Sequence, residues 1–502
     1  MSGKHSQPVR GLMSTKSSPL FQGRFGRMFR SLSAARYGST ETESETNLKL
    51  LGAAMSGDFD PPHDGKDDEE SGIPALYTYF GQFIDHDLTF DPASSLQMQN
   101  DPDALTDFRT PAFDLDNIYG RGPDDQPYLY NGDNTFLLGA QLNGGNINAK
   151  DLPRNGANPA RALIGDPRND ENSIVSQLQG LMLRFHNRTV ADNPHLSFAE
   201  IQKRVRFHYQ YVVVNDFLPR IVHSSVIAAL KSHGKYDAGK IKFFHWKQDP
   251  FMPVEFSVAA YRLGHSMIRP GYRLNDVVIL PIFPVPSQDF PEGLTGFRAM
   301  NPGWGIDWGR FIDIDARTYD GSTAENAKRL QFAYRIDTSL VNPLSNLPPA
   351  VASNPASLPA RNLLRGLRLG LPNGQQVAHA MGIEPLDDKD ILIGKATGTA
   401  ADVKPISDPS LKLGAFKSNC PLWTYILAEA IQHQEEVRIP VKGSVTLNTP
   451  RLGPVGGRIV AEVFLGLLFG DSNSLLSLQP NWVPEGGASY ALKDFVKYAL
   501  GN

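Results

Sequence analysis

Seven consecutive residues, Gly81-Gln82-Phe83-Ile84-Asp85-His86-Asp87, constrain this chain more than any other stretch. They put an amide, two carboxylates and an imidazole into little more than one helical turn, inside an otherwise apolar and aromatic segment running from Ala75 to Phe90. On a helix, Gln82 and His86 stand four residues apart and share a face. Asp85 and Asp87 flank the imidazole and point in two other directions. Burying such groups costs free energy unless each finds a partner or a ligand. The segment therefore predicts a buried helix carrying a redox or metal site, whose other half must come from elsewhere in the chain.

Composition narrows the possibilities. A chain of 502 residues can bury a large core, and its 49 basic and 53 acidic residues nearly balance. Neither a nucleic-acid footprint nor a field for acidic substrates follows from that balance. Cys420 is the one cysteine, which excludes a disulfide framework and a thiolate metal cage and favours a reducing compartment. It sits in Asn419-Cys420-Pro421-Leu422-Trp423 and reads as a small buried hydrophobe. No apolar run follows Met1, and the most apolar stretch, Val463 to Phe469, is too short to span a bilayer. No transmembrane segment and a cytoplasmic location are expected.

Residues 1–45 hold Ser, Gly and basic residues with no acid before Glu41, and read as a basic polar arm, with Arg24, Arg27 and Arg30 on one face if it is helical. Residues 46–502 read as one catalytic domain, mainly α. Ile174, Val175, Leu178, Leu181, Met182 and Phe185 repeat at helical spacing behind Asn172, a plausible cap. Arg204 to Leu218, Trp423 to Gln432 and Ile459 to Phe469 have the same character. Long Pro/Gly-rich connections fill 270–310 and 341–360, and a short strand is expected over Val277 to Leu280.

Three further polar motifs stand out: Gly165-Asp166-Pro167-Arg168-Asn169-Asp170-Glu171, Tyr261-Arg262-Leu263-Gly264-His265-Ser266-Met267, and Asn362-Leu363-Leu364-Arg365. Each alone is weak. A lone buried histidine is more often a satisfied core residue than a ligand, and Asp170 beside Glu171 suits an ordinary helix start. Together and in this order, from about residue 73 to 470, they resemble the animal-type haem peroxidases of the peroxidase-cyclooxygenase superfamily, the group of myeloperoxidase and lactoperoxidase, in a bacterial-type single-domain form.

The resemblance implies a mainly α fold with haem b held between a distal and a proximal helix. His86 would be the distal general base, Arg168 the distal arginine that steadies developing negative charge, and Gln82 the residue ordering distal water or halide. His265 would ligate the haem iron, with Asn362 accepting a hydrogen bond from its other ring nitrogen. Arg262 and Arg365 match the propionate partners. Asp85 and Glu171 match the carboxylates that form ester bonds to haem methyl groups. Asn172 follows Glu171 where some members carry a methionine joined to haem by a sulfonium link. That difference puts chloride oxidation in doubt and favours bromide, iodide, thiocyanate or phenols.

The same resemblance implies a calcium site beside His86. Asp87 would join Thr110, Asp114 and Asp116 through side-chain oxygens, and Thr110 and Ala112 through carbonyls; hard oxygen donors of this kind suit Ca²⁺. The expected function is peroxidase, with hydrogen peroxide and small electron donors as partners. Relatives of this chemistry often work outside cells, so non-classical secretion stays open. Two alternatives remain. A fatty-acid dioxygenase of the same superfamily would need a tyrosine three residues before His265, where Arg262 stands; Tyr261 lies one residue further back, a helical rotation of about 100°. A non-catalytic calcium-binding adhesion-type module would keep the scaffold without turnover. His186 is expected to pack and hydrogen-bond, and the other histidines show no metal-ligand spacing.

Overall fold

The computed structural model describes residues 23–89, 106–107, 109–246, 249–285 and 291–501. The chain is mainly α. Its longer helices are α1 (Glu41–Ala54), α2 (Leu76–Leu88), α3 (Ser173–Asp192), α4 (Phe198–Val212), α5 (Leu358–Arg368), α6 (Leu422–Gln432), α7 (Pro454–Gly470) and α8 (Leu492–Leu500). Strands are short and pair in small two- and three-stranded sheets. Among the described residues, no helix is long and apolar enough to cross a membrane.

Local chemistry sets the helix boundaries. α3 starts where Asn172 adopts an extended backbone and its Oδ1 accepts from Ile174 N and Val175 N. α4 opens with a capping box, Ser197 paired with Glu200. It then continues as a π-helical turn, Val213–Phe217, into a short helical piece ending at Ile221, so the segment expected over 204–218 is helical but not uniform. α2 has no side-chain cap. Its first amides are met instead by the fold: Ala75 N donates to Gln331 O and Leu76 N to Phe311 O. Its start therefore depends on distant segments.

One continuous apolar cluster draws on described residues from Phe25 to Leu500, and a small second one joins Leu330, Phe332 and Ile439. Around α2 it is aromatic: Phe80 and Phe83 both meet the Tyr209 ring edge-to-face, and Phe80 meets Phe217 in the same way. Such edge-to-face pairs add to the burial of the rings themselves. α3 is pinned to α8 by Phe185 and Phe495, stacked 3.7 Å apart. Cys420 is buried, as its context suggests.

Two expectations are adjusted. The strand near residue 280 spans Ile279–Pro281 and pairs with Gly271–Arg273. Val277 instead lies in the connecting turn, 85% exposed, its amide donating to Asn275 Oδ1. The described part of the N-terminal arm is not helical before Glu41, where α1 begins. Gly23–Gly26 is a strand, and residues 27–40 wrap onto the body without a helix. Phe25 and Phe29 are buried, Met28 N and Phe29 N donate to the fully buried Glu255, and the Arg27 guanidinium donates to Leu369 O and Gly370 O past the end of α5. Residues 1–22 lie outside the described residues.

Candidate active site

α2 and the 165–172 loop meet face to face. Gly165 lets the loop lie against the short helix that follows the 110–115 loop: a Cβ there would come within 2.7 Å of the carbonyls of Asp116 and Asn117. The loop then forms a 3-10 turn, Pro167–Asp170, capped by Asp166, whose side chain accepts from Arg168 N. Gln82 Nε2 donates to Glu171 Oε1, and Asn172 Nδ2 donates to Gln82 Oε1 at 3.3 Å. His86 is buried, with Nε2 3.6 Å from Glu171 Oε1. Asp85, on the same helix, accepts from Thr89 Oγ1 at 3.3 Å. Arg168 sends Nη2 both to His86 O at 2.9 Å and to Asp166 Oδ2 at 2.7 Å, and Nε to the same carboxylate at 3.2 Å. The sequence-derived set Gln82, Asp85, His86, Arg168 and Glu171 therefore gathers in one place.

Asn169 was not singled out in the sequence, yet it fixes the state of His86. A peptide carbonyl can only accept, so Gln179 Nε2 faces Asn117 O at 3.5 Å, a long contact, and turns its Oε1 to Asn169 Nδ2 at 2.8 Å. That leaves Asn169 Oδ1 to accept from His86 Nδ1 at 2.7 Å. That contact places a ring proton on Nδ1 and turns Nε2 towards Glu171 Oε1.

His265 ends a 3-10 segment, Ala260–His265, that follows a π-helical turn, Glu255–Ala259. Asn362 on α5 places Nδ2 2.8 Å from His265 Nδ1, and its Oδ1 accepts from Arg262 Nη1 at 3.4 Å. Burial, with a smaller push from Arg262, lowers the His265 pKa to about 3, so the ring is neutral. Burial and the neighbouring Arg365 lower Arg262 to about 10. A neutral imidazole beside two crowded guanidiniums suits a metal-centred group with anionic arms. A Cβ on Gly264 would meet nothing within 4 Å, leaving room for a flat ligand. Tyr261 donates its hydroxyl to Gly81 O at 3.2 Å, which joins the His265 segment to α2 directly.

A cluster of carboxylates adjoins His86. Asp87, Asp114 and Asp116 each bring an oxygen within 4.8 Å of the others. Asp87 Oδ1 and Asp116 Oδ1 are buried without a hydrogen-bond partner, and Tyr209 OH donates to Asp87 Oδ2 at 3.0 Å. Burial and mutual repulsion raise Asp87 and Asp114 well above the carboxylate range; burial raises Asp116 to about 6. Leu115 takes a left-handed conformation (φ 62°), a costly choice for a bulky residue, and that kink lets its two neighbours converge. Thr110 and Ala112 are buried in the same loop.

Two other histidines need comment. His186 is buried between Tyr119 OH and Asn134 O, with burial lowering its pKa to about 4, in keeping with a packing role. His63 forms a half-exposed group with Asp60 and Asp67, Nε2 lying 3.6 and 3.3 Å from their oxygens, a grouping the sequence reading passed over. Hydrogen bonds to those carboxylates raise its pKa to about 9, as expected of an ion pair.

Comparisons with known proteins follow the same lines. The sequence model of the animal haem peroxidase family matches residues 97–394, spanning Arg168, His265, Asn362 and the 110–116 loop but starting beyond α2. Human thyroid peroxidase is 28% identical over 279 residues, 53% of this chain and 27% of that protein, so the chain spans about a quarter of its length. Peroxidase A from Dictyostelium discoideum superposes with a TM-score of 0.58 at 13% identity, covering 95% of this chain and 93% of that one. A fatty acid alpha-dioxygenase from Arabidopsis thaliana reaches 0.52 at 12% identity, covering 93% and 76% respectively. At these identities the two structures speak to the fold alone.

Proposed function

Because the chain belongs to the animal haem peroxidase family, we propose that it is a haem-dependent peroxidase that reduces hydrogen peroxide and oxidises small donors such as bromide, iodide, thiocyanate or phenols. The observation that carries this reading is the directed amide chain from Asn117 O through Gln179 and Asn169 to His86. It leaves His86 Nε2 as a proton acceptor. His86 takes a proton from one peroxide oxygen and delivers it to the other as that oxygen departs. Arg168 stabilises the negative charge that builds on the departing oxygen. Gln82 orients the water or halide next to them.

Haem b, when bound, supplies the electrons and the coordination position that this chemistry needs. The donor set fits it: a neutral His265, two guanidiniums for the propionates at Arg262 and Arg365, and open space at Gly264. With His265 as the iron ligand, the ring proton would sit on Nδ1. A half-turn of the Asn362 amide then presents its oxygen to that proton, at the cost of the 3.4 Å contact with Arg262. Asp85 on α2 and Glu171 beside Gln82 are the carboxylates to which haem methyl groups would be esterified. Asp87, Asp114 and Asp116, with Thr110 and Ala112, fit Ca²⁺, which takes about six to eight hard oxygen donors; two of their oxygens lack any other partner.

The dioxygenase alternative has less support. Arg262 occupies the position where a radical tyrosine is needed, and the Tyr261 phenol donates to a backbone carbonyl. The deciding experiment supplements the purified protein with haem and assays one batch with bromide, thiocyanate, a phenol and linoleate. A Soret band with peroxide-dependent donor oxidation supports the peroxidase. Oxygen uptake with linoleate in the absence of peroxide supports the dioxygenase instead, and no Soret band points to the non-catalytic module. For the esters, peroxide-treated protein should keep haem on the chain in acidified organic solvent, and the Asp85→Ala/Glu171→Ala variant should release it. Complete extraction from the treated native protein removes the ester assignment.

A further inference from the structure

Arg109 stands between two carboxylates with different roles. Its Nη1 lies 3.2 Å from Asp116 Oδ2 in the acidic cluster. Its Nε and Nη2 donate to Asp166 Oδ2 at 3.0 and 2.7 Å, and Nη2 also reaches Gly165 O at 3.2 Å. Asp166 has no exposed side-chain surface and turns its remaining capacity to Arg168: Oδ1 accepts from the backbone amide at 2.8 Å, and the carboxylate accepts from Nε at 3.2 Å and Nη2 at 2.7 Å. The same Nη2 of Arg168 donates to His86 O. An unbroken line of charged contacts thus runs from Asp116 through Arg109 and Asp166 to Arg168.

Where water is largely excluded, sharing one guanidinium between two carboxylates is a competition with a large stake. Asp116 keeps one buried oxygen, Oδ1, with no partner, as does Asp87 beside it. A divalent cation held there would engage the Asp116 carboxylate and weaken its claim on Arg109. Arg109 would then settle on Asp166. Asp166, better compensated from that side, would neutralise Arg168 less, and more of the Arg168 field would fall on the active site.

We propose that Arg109 and Asp166 are positioning residues that transmit the occupancy of the Asp87–Asp114–Asp116 cluster to Arg168, so that a divalent cation there strengthens the grip of Arg168 on an anion at the active site. This rests on the reading of the cluster as a calcium site and of Arg168 as an active-site cation. The sign is positive coupling, and it is reciprocal: an active-site anion tightens the cation by the same factor.

The test uses the haem-bound, ferric full-length protein and fluoride, a small anion that binds ferric haem and takes hydrogen bonds from its surroundings. Fluoride affinity is read by absorbance with saturating calcium and after chelation, and calcium affinity by calorimetry with and without fluoride. In the native protein each should tighten the other roughly fivefold or more, the lower end of ordinary coupling. In Arg109→Gln the ratio should fall below about twofold, the remainder being direct attraction through space. Arg109→Lys keeps a cation in place for folding but is a point charge that cannot span both carboxylates, and its ratio should fall likewise. A ratio that stays at the native value in either folded variant, with both affinities merely shifted, assigns Arg109 a structural role and overturns the relay. So does a native ratio of one. Absence of a Soret band, or of any calcium heat, is a different failure: it removes the functional reading on which the relay depends.

Discussion

Replacing His86 with alanine should slow the reaction of the haem-bound protein with hydrogen peroxide by about 10²–10⁴-fold, the usual contribution of a positioned general base. The structure supplies the reason. Asn169 holds the ring with its proton on Nδ1, so Nε2 is available without any prior rearrangement. Arg168→Ala should cost about 10²–10³-fold, the range for losing one preorganised charge-stabilising donor. The double variant should lose less than the product of the two, because both groups act on the same bond-breaking event. The measurement is the second-order rate of the Soret change after rapid mixing with peroxide. If the double variant keeps more than about a tenth of the native rate, the assignment of both residues is falsified.

The second large effect concerns calcium and pH together. Without a cation, Asp116 is raised to about 6, and Asp87 and Asp114 stand well above their ordinary values. Groups raised in the folded state favour folding most below their unfolded values, near pH 4, and that benefit disappears as pH climbs through the folded values. The cation-free protein should therefore lose stability between about pH 4 and beyond pH 6. A cation needs the same carboxylates ionised, so its own stabilisation should grow across that window. At a thousandfold excess over its dissociation constant, calcium contributes about 4 kcal/mol, enough to raise the melting temperature of a chain this long by roughly 4 °C at neutral pH. At pH 4–5 the gain should be small. Asp87→Asn should abolish the calcium shift and, by removing one repelling charge, make the cation-free protein less sensitive to rising pH. Melting curves that ignore calcium at every pH would sink the cation site.

How much of this could be read beforehand depended on whether the partners lay within a few residues. Gln82 and His86 on one face of α2 followed from helical geometry, and the start of α3 followed from Asn172 as a cap, because both signals are complete within a turn. The groups that tune the site were hidden for the opposite reason. Asn169 meets His86 across 83 positions, and Arg109 meets Asp166 across 57. Short polar residues and arginines are common enough that nothing local marks those pairings. The π-turn running into a 3-10 segment before His265 has no periodic signature either. His63 was passed over because its companions are carboxylates and not histidines. The basic arm misled in one respect: spacing allowed Arg27 and Arg30 a helical face, but Phe25 and Phe29 gain more by burial, and Arg27 is used as a donor to α5 carbonyls.

That arm has a further meaning. Its amides at 28 and 29 end on Glu255, ten positions ahead of His265, while Arg27 grips the tail of the helix bearing Asn362 and Arg365. A strap from the front of the chain thus ties Glu255 to the tail of α5, and its strand Gly23–Gly26 also pairs with Thr106–Asp107, two residues ahead of Arg109. Trimming the chain past Arg27 would therefore slacken the segment leading to His265 and the one leading to Arg109 together, so one short piece of chain holds both sides of the site in register.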